Sequence, residues 1–153
     1  MKILYFGDVV GRSGREVLIE KLPEIRKRLS TDFVVVNGEN AAGGFGITEK
    51  IANEFYDAGA DCIVLGNHSF DQKEIMPYLE KDARMLRPLN YPKDTPGRGA
   101  SAFKTRRGKS ILVMQVMGRL FMDPLDDPFA AVDKLLAGNP LGRKYDEILV
   151  DIP

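Results

Sequence analysis

The chain has 153 residues, 44% of them hydrophobic, and its 22 basic and 22 acidic residues give a formal net charge of zero. A chain of this size can bury one core of ordinary size, so one domain is expected, and the neutral balance provides no field that would attract nucleic acid. The single cysteine, Cys62, excludes an internal disulfide and indicates a reduced compartment.

The amino-terminal residues, MKILYFGDVV, form a short apolar run that Asp8 interrupts, so they lack the apolar core of a signal peptide. No stretch approaches the roughly 18 consecutive apolar residues of a membrane span. We therefore expect a cytoplasmic protein that does not bind membranes.

Several short apolar runs predict buried strands, because strands covered on both faces read as continuous apolar segments and do not alternate. These runs are residues 3–6, 33–36, 62–65, 111–116 and 148–152. Helical patterns separate the early runs, which gives the order βαβαβα, then an irregular part, then αβ. This order predicts a parallel sheet with helices on both faces.

Helix boundaries are predicted from capping residues. Ser13 followed by Glu16 is typical of a capping box, and the helix after it contains Pro23, which should weaken or bend it. Thr48 is the predicted cap of a second helix, which Gly59 should end.

The second half of the chain is predicted to be less regular. A third helix should begin near Asp71, and a fourth has Asp127 as its cap, Pro128 at its first position and Gly138 at its end. Between them, residues 87–99 contain three prolines and two glycines and are predicted to form a loop. Residues 100–118 indicate two strands joined by a tight turn at 106–109, which would be antiparallel.

Three of the predicted strands end in the same way, with a glycine followed by polar residues. The first ends in FGD with Asp8, the second in NGEN with Glu39 and Asn40, and the third in LGNH with Asn67 and His68. Because ligands of open α/β sheets bind outside the carboxyl ends of the strands, we expect these five side chains to converge.

Carboxylate, amide and imidazole groups together suit divalent ions such as Mn, Fe or Zn, and a pair of such ions can hydrolyse phosphoesters. Each residue also has a structural interpretation: Asp8 and Asn40 could cap turns, Glu39 could be solvated, and Asn67 could hold its own loop. The recurrence at three strand ends favours a functional site.

Four motifs extend this interpretation to a known family. GDVVGRSGR at 7–15, VVNGENAAGGFGIT at 35–48, LGNHSFDQKEI at 65–75 and RPLNYP at 87–92 resemble the YmdB-like branch of the calcineurin-like metallophosphoesterases. The resemblance implies a metallophosphoesterase α/β sandwich, here incomplete at its carboxyl-terminal side. It also implies a phosphodiesterase that uses two divalent ions and acts on 2′,3′-cyclic and 3′,5′-cyclic nucleotides.

The resemblance also assigns roles to the five residues. It implies that Asp8 is a ligand of one metal, Glu39 the bridging carboxylate, Asn40 a further ligand and Asn67 a ligand of the second metal. His68 falls on the family's proton donor, which protonates the leaving oxygen and is not a metal ligand.

Asp71 has two interpretations of similar weight. It could orient His68, or it could cap the helix that follows.

The chain departs from the family in one respect, because His68 is its only histidine and the family completes its two-metal site with further histidines. We therefore expect residues 1–153 to be the amino-terminal part of a single metallophosphoesterase domain, truncated and inactive or weakly active alone. Self-association into a homo-oligomer would cover apolar surface left exposed in such a part.

The main alternative is a non-catalytic nucleotide-binding or regulatory scaffold module. Gly7, Gly11 and Gly14 lie between a strand and a helix, as in a phosphate-binding loop, but their G-x₃-G-x₂-G spacing is not the dinucleotide fingerprint. Aromatic-basic signatures of RNA binding are absent, so an RNA-binding module ranks last.

Overall fold

The computed structural model describes the whole chain, Met1–Pro153, as two β-sheets with four α-helices. Three of the helices fall between strands of the first sheet, and the fourth precedes the last strand of the second. The elements in chain order are β1 (Ile3–Phe6), α1 (Gly11–Leu29), β2 (Phe33–Asn37), α2 (Glu49–Ala58), β3 (Cys62–Val64), α3 (Met76–Lys81), β4 (Met85–Leu86), β5 (Ala100–Lys104), β6 (Ser110–Gln115), α4 (Pro128–Ala137) and β7 (Glu147–Asp151).

The first sheet has the order β1-β2-β3-β4, and all of its neighbouring strands are parallel. Parallel neighbours need crossover connections, and α1, α2 and α3 provide them. All four strands therefore end at the same edge of the sheet. The sequence patterns predicted three of these strands and missed β4, whose two residues are too few to form a recognisable pattern.

The second sheet has the order β5-β6-β7. β5 and β6 are antiparallel, and the backbone N–H of Thr105 donates to the carbonyl of Lys109 at 2.8 Å across their turn. The predicted turn at 106–109 is therefore confirmed. β7 joins β6 in parallel, after a connection that includes α4.

The two faces of the first sheet have different coverings. On β2, Val34 and Val36 pack with Leu22 of α1 and Phe55 of α2 in the larger apolar cluster. The alternate residues of β2, among them Val35, pack in a second cluster that also contains residues of β6.

The prediction of helices on both faces of the parallel sheet is therefore wrong, because the second sheet covers one face. The second sheet packed on the first gives the two-sheet α/β sandwich that the family resemblance implies. The buried Cys62 belongs to the cluster between the two sheets, where burial raises the pKa of its thiol well above the usual value.

Two helix caps agree with the sequence patterns. The Thr48 hydroxyl accepts a hydrogen bond from the backbone of Ile51 at 3.3 Å, and Gly59 ends α2 with a positive φ of 116°. The Asp127 carboxylate caps α4 by accepting from Phe129 at 2.8 Å, and Gly138 follows its last residue.

The predicted capping box of Ser13 and Glu16 is wrong. Helix α1 begins at Gly11 without a side-chain cap, and the N–H of Gly11 donates to the carbonyl of Asn40 at 2.9 Å. A backbone contact from the next strand end thus replaces the cap, while Glu16 pairs with Arg12 at 2.7 Å on the surface. Pro23 lies within α1, which continues to Leu29.

Residues 87–99 form the predicted loop. The third helix, predicted to begin near Asp71, starts with a 3₁₀ turn at Lys73–Ile75 that continues directly into α3 at Met76. None of the helices combines the length and apolar composition that crossing a membrane requires.

Candidate active site

The candidate site lies at the edge where β1, β2 and β3 end. Backbone hydrogen bonds tie the three strand ends together: the N–H of Val9 donates to the carbonyl of Asn37 at 3.1 Å, and the N–H of Gly38 donates to that of Val64 at 3.0 Å. These bonds hold the loops that carry the predicted site residues against one another.

Asp8 and Asn40 are in direct contact, although they belong to different loops. The Asn40 amide nitrogen donates to Oδ1 of Asp8 at 2.7 Å. This bond occupies an N–H of the Asn40 amide and one carboxylate oxygen of Asp8. The Asn40 amide oxygen and Oδ2 of Asp8 take no part in it. The prediction that these two residues lie close together is therefore confirmed, while their roles as metal ligands stay predictions.

Glu39 is a buried carboxylate, only 6% exposed, and its Oε2 has no hydrogen-bond partner. Burial raises the pKa of the Glu39 carboxyl, against the lowering effect of hydrogen bonding by the His68 backbone and Asn37. The charge of Asp8 raises the same pKa further, so the two carboxylates lie near enough to interact. An unpartnered buried carboxylate oxygen is costly unless another group compensates its charge.

Gly66 allows the loop after β3 to pass directly against Glu39. A Cβ atom at position 66 would overlap with Oε2 of Glu39 and lie 2.6 Å from its Cδ, so the Glu39 carboxylate would have to move. The glycine of the LGNH motif therefore allows the Glu39 carboxylate to occupy its observed position against this loop. It brings the strand end that carries Asn67 and His68 to the Glu39 carboxylate.

His68 is held from both sides of its ring. Its Nδ1 lies 2.6 Å from Oδ2 of Asp71, and its Nε2 lies 3.1 Å from the amide nitrogen of Asn67. Because an amide nitrogen only donates, Nε2 accepts in this arrangement and Nδ1 carries the proton that it donates to Asp71. Asp71 thus contacts His68 and does not cap the following 3₁₀ turn, whose cap position is Gln72.

The donor atoms at this edge fit a divalent cation. They are carboxylate oxygens of Asp8 and Glu39 and amide oxygens of Asn40 and Asn67, and the unpartnered Oε2 of Glu39 is the atom that a cation would compensate. No group of three or more His, Cys, Asp or Glu side chains lies close enough to hold a metal. A site here would therefore depend on the amides as well as the carboxylates.

The sequence patterns did not single out Phe45, which lies beside His68. The two ring centroids are 5.3 Å apart and the planes are nearly perpendicular, at 87°. The GGFG segment is the signal that could have identified it, since an aromatic residue among glycines is unusual for a core position.

The three glycines that follow β1 do not form a free phosphate-binding loop, because Gly11 and Gly14 already belong to α1. The N–H of Gly11 is bonded to Asn40, and the N–H of Gly14 donates to the carbonyl of Val10 at 3.2 Å. Two of the backbone donors that such a loop would offer to a phosphate are therefore occupied.

Comparison with known proteins adds sequence evidence. The model of a family described as YmdB-like protein matches residues 4–153. A 2′,3′-cyclic-nucleotide 2′-phosphodiesterase of Bacillus subtilis is 44% identical over 137 residues, which cover 90% of this chain and 52% of that protein.

Solved structures share the fold. A hypothetical protein of Thermus thermophilus superposes with a TM-score of 0.89 at 44% identity, covering 99% of this chain and 57% of the other. A structure described as a novel phosphatase from Mycoplasma pneumoniae superposes with a TM-score of 0.88 at 26% identity, covering 99% and 54%. The chain spans about half the length of the curated relatives it matches.

Proposed function

The chain belongs to the YmdB-like protein family, and from this premise we propose that its site serves the metal-dependent hydrolysis of cyclic phosphodiesters. The substrates proposed are 2′,3′-cyclic nucleotides, with 3′,5′-cyclic nucleotides as a second group. The name of the Bacillus subtilis relative supports the first group. The observation that carries the proposal is the buried Glu39 carboxylate. Glu39 follows the middle of the three strands, and its unpartnered Oε2 lies against Gly66 in the loop after β3.

The proposed metal ligands follow from the positions of the oxygen donors. Asp8 and Asn40, paired at 2.7 Å, would hold one divalent ion of the Mn, Fe or Zn class. Asn67 would hold a second, and Glu39 would lie between them. Bound ions of this kind supply an activated water and neutralise charge on the phosphoryl oxygens.

His68 is the proposed general acid. In the hydrolysis, a water oxygen bonds to phosphorus and releases one proton to the solvent, while the bond from phosphorus to O2′ breaks and its electron pair leaves on O2′. Protonated His68 donates the Nε2 proton to O2′, and the phosphate stays on O3′ as a monoester. For this step the Asn67 amide must release Nε2, while Asp71 at Nδ1 stabilises the imidazolium.

The test measures Mn²⁺ binding by calorimetry and conversion of 2′,3′-cAMP to 3′-AMP by chromatography. We expect His68→Ala to retain Mn²⁺ binding and to lower turnover about 10²- to 10⁴-fold. Glu39→Gln should lose Mn²⁺ binding together with turnover, since it removes the buried charge. Turnover that is unchanged in His68→Ala would contradict the assignment.

The alternative is a nucleotide-binding or regulatory module without hydrolysis. The observation in its favour is that no cluster of three His, Cys, Asp or Glu side chains is present at the site. Under this alternative the wild-type chain binds 3′-AMP and Mn²⁺ but forms no product from 2′,3′-cAMP, which the same experiment would detect.

A further inference from the structure

Phe45 lies in a glycine-rich loop whose backbone is held in one conformation. The N–H of Ala42 donates to the carbonyl of Gly46 at 2.8 Å, and the Gln72 side chain donates to the carbonyl of Phe45 at 2.7 Å. Gly43, Gly44 and Gly46 have positive φ, between 71° and 99°. The loop is therefore adapted to present residue 45 at a defined position.

The same loop packs closely against the turn that carries His68. A Cβ atom on Gly46 would lie 3.1 Å from the His68 carbonyl oxygen and 3.0 Å from Cγ of Gln72. The position of the Phe45 ring relative to the imidazole is thus set by backbone packing as well as by the ring contact at 5.3 Å.

The ring of Phe45 adds little to the core. Its side chain is 59% exposed and belongs to neither apolar cluster. Phe121 and Phe129 are also exposed, so exposure alone decides nothing. What distinguishes Phe45 is that its exposed ring stands beside the proposed general acid.

A 2′,3′-cyclic nucleotide places its base close to the bond that is cleaved. The base is attached to C1′, the carbon next to the one that bears O2′. If His68 protonates O2′, the base must therefore lie within one sugar ring of the imidazole. Phe45 is the exposed aromatic side chain in contact with that imidazole.

We propose that Phe45 is the base-binding residue of the site, and that its ring stacks on the nucleobase of the substrate. This inference rests on the proposed function and specifies which part of the substrate the GGFG loop recognises. Stacking on an aromatic ring tolerates every base, because each base has a π-face. Recognition by Phe45 therefore selects nucleotides over base-free diesters and does not select one base.

Equilibrium binding tests the proposal without requiring turnover. The two probes are 3′-AMP and methyl ribofuranoside 3-phosphate, in which a methoxy group replaces the base, each titrated into the chain in the presence of Mn²⁺. We expect the wild type to bind 3′-AMP about tenfold tighter than the base-free probe. Phe45→Ala should remove this preference and leave the affinity for the base-free probe within about twofold.

Two further variants complete the design. Phe45→Trp should keep the preference, since its larger ring also stacks. Phe129→Ala truncates an equally apolar and even more exposed ring on α4, 78% exposed, and should change neither affinity.

Several outcomes would overturn the proposal: equal wild-type affinities for the two probes, no binding of either, or a loss in Phe45→Ala that affects both probes alike. A base preference that depends on Phe45, in a chain that does not hydrolyse 2′,3′-cAMP, would instead support it while contradicting the proposed hydrolysis.

Discussion

The hydroxyl of Tyr5 donates to Oδ1 of Asp151 at 2.6 Å and so joins the first sheet to the second. The other oxygen of Asp151 accepts from the Gln115 side chain at 3.0 Å, and the Gln115 amide oxygen accepts from the N–H of Leu65 at 3.1 Å. Leu65 immediately precedes Gly66, so this chain of hydrogen bonds runs from the last strand to the strand end of Asn67 and His68.

This bridge predicts that Asp151 stabilises the contact between the sheets. Asp151 is 7% exposed, and replacing it by Ala leaves the Gln115 amide without its buried acceptor. We expect Asp151→Ala to lower the free energy of unfolding by about 1–3 kcal/mol in urea denaturation. Asp133→Ala, at an exposed position on α4, is the control and should change it little. Equal stability of the two variants would mean that the bridge contributes nothing.

Gly66→Ala is predicted to disturb the site more than the fold. The new methyl group would overlap with Oε2 of Glu39, whose carboxylate must move or rotate. We expect a loss of stability of about 1–3 kcal/mol, as in overpacked cores, and weaker Mn²⁺ binding in calorimetry. Gly118→Ala is the matched control, since nothing lies within 4 Å of its Cβ position. Wild-type Mn²⁺ affinity in Gly66→Ala would argue against Glu39 as a ligand.

Asp71→Asn is predicted to separate catalysis from metal binding. The amide oxygen can still accept from Nδ1 of His68, but it lacks the charge that stabilises the imidazolium. We expect turnover of 2′,3′-cAMP to fall about ten- to hundredfold and Mn²⁺ affinity to stay within about twofold. Asp133→Asn serves as the control for a lost carboxylate charge away from the site. If Asp71→Asn keeps full turnover, Asp71 does not act through His68.

Asp146 is predicted to make the second sheet sensitive to acid. Hydrogen bonds from the backbone and side chain of Ser110, and then from Lys109, lower the pKa of Asp146 to about 2. Since this is below the value of about 3.9 in an unfolded chain, the stabilisation is complete above about pH 4. It is lost as the pH falls toward about 2.

Urea denaturation of wild type and Asp146→Asn at a series of pH values checks this prediction. The wild type should be the more stable at near-neutral pH, and the difference should shrink as the pH falls from about 4 to about 2. Asp133→Asn, which makes no such contacts, should show no comparable pH dependence. A difference between wild type and Asp146→Asn that is constant with pH would contradict the assignment.

Much of the fold follows from short-range signals in the sequence. Thr48, Gly59 and Asp127 act on backbone groups within a few residues, so their capping roles were predictable. Continuous apolar runs identified the long strands, and their alternation with helices indicated parallel pairing. Once the strands are parallel, their carboxyl ends meet at one edge, which is why Asp8 and His68 could be assigned to one site from the sequence. Their chemical roles stay predictions.

Features that depend on contacts between residues distant in the chain could not be predicted from the sequence. The helix start at Gly11 is set by the Asn40 carbonyl, and no local pattern of Ser13 and Glu16 could reveal that. The covering of one sheet face by the second sheet likewise depends on packing, because a buried strand looks the same under a helix or a sheet.

The same limit applies to the site itself. The polar residues that follow the strands can be read from the sequence, since local apolar runs and glycines mark the strand ends. Three contacts become visible only in the folded molecule: Phe45 lies beside His68, Gly66 lies against Glu39, and Asp151 accepts a hydrogen bond from Tyr5, 146 positions away. Such contacts arise from loop packing and sheet stacking, whose energies are shared among many residues and leave no signature at any one position.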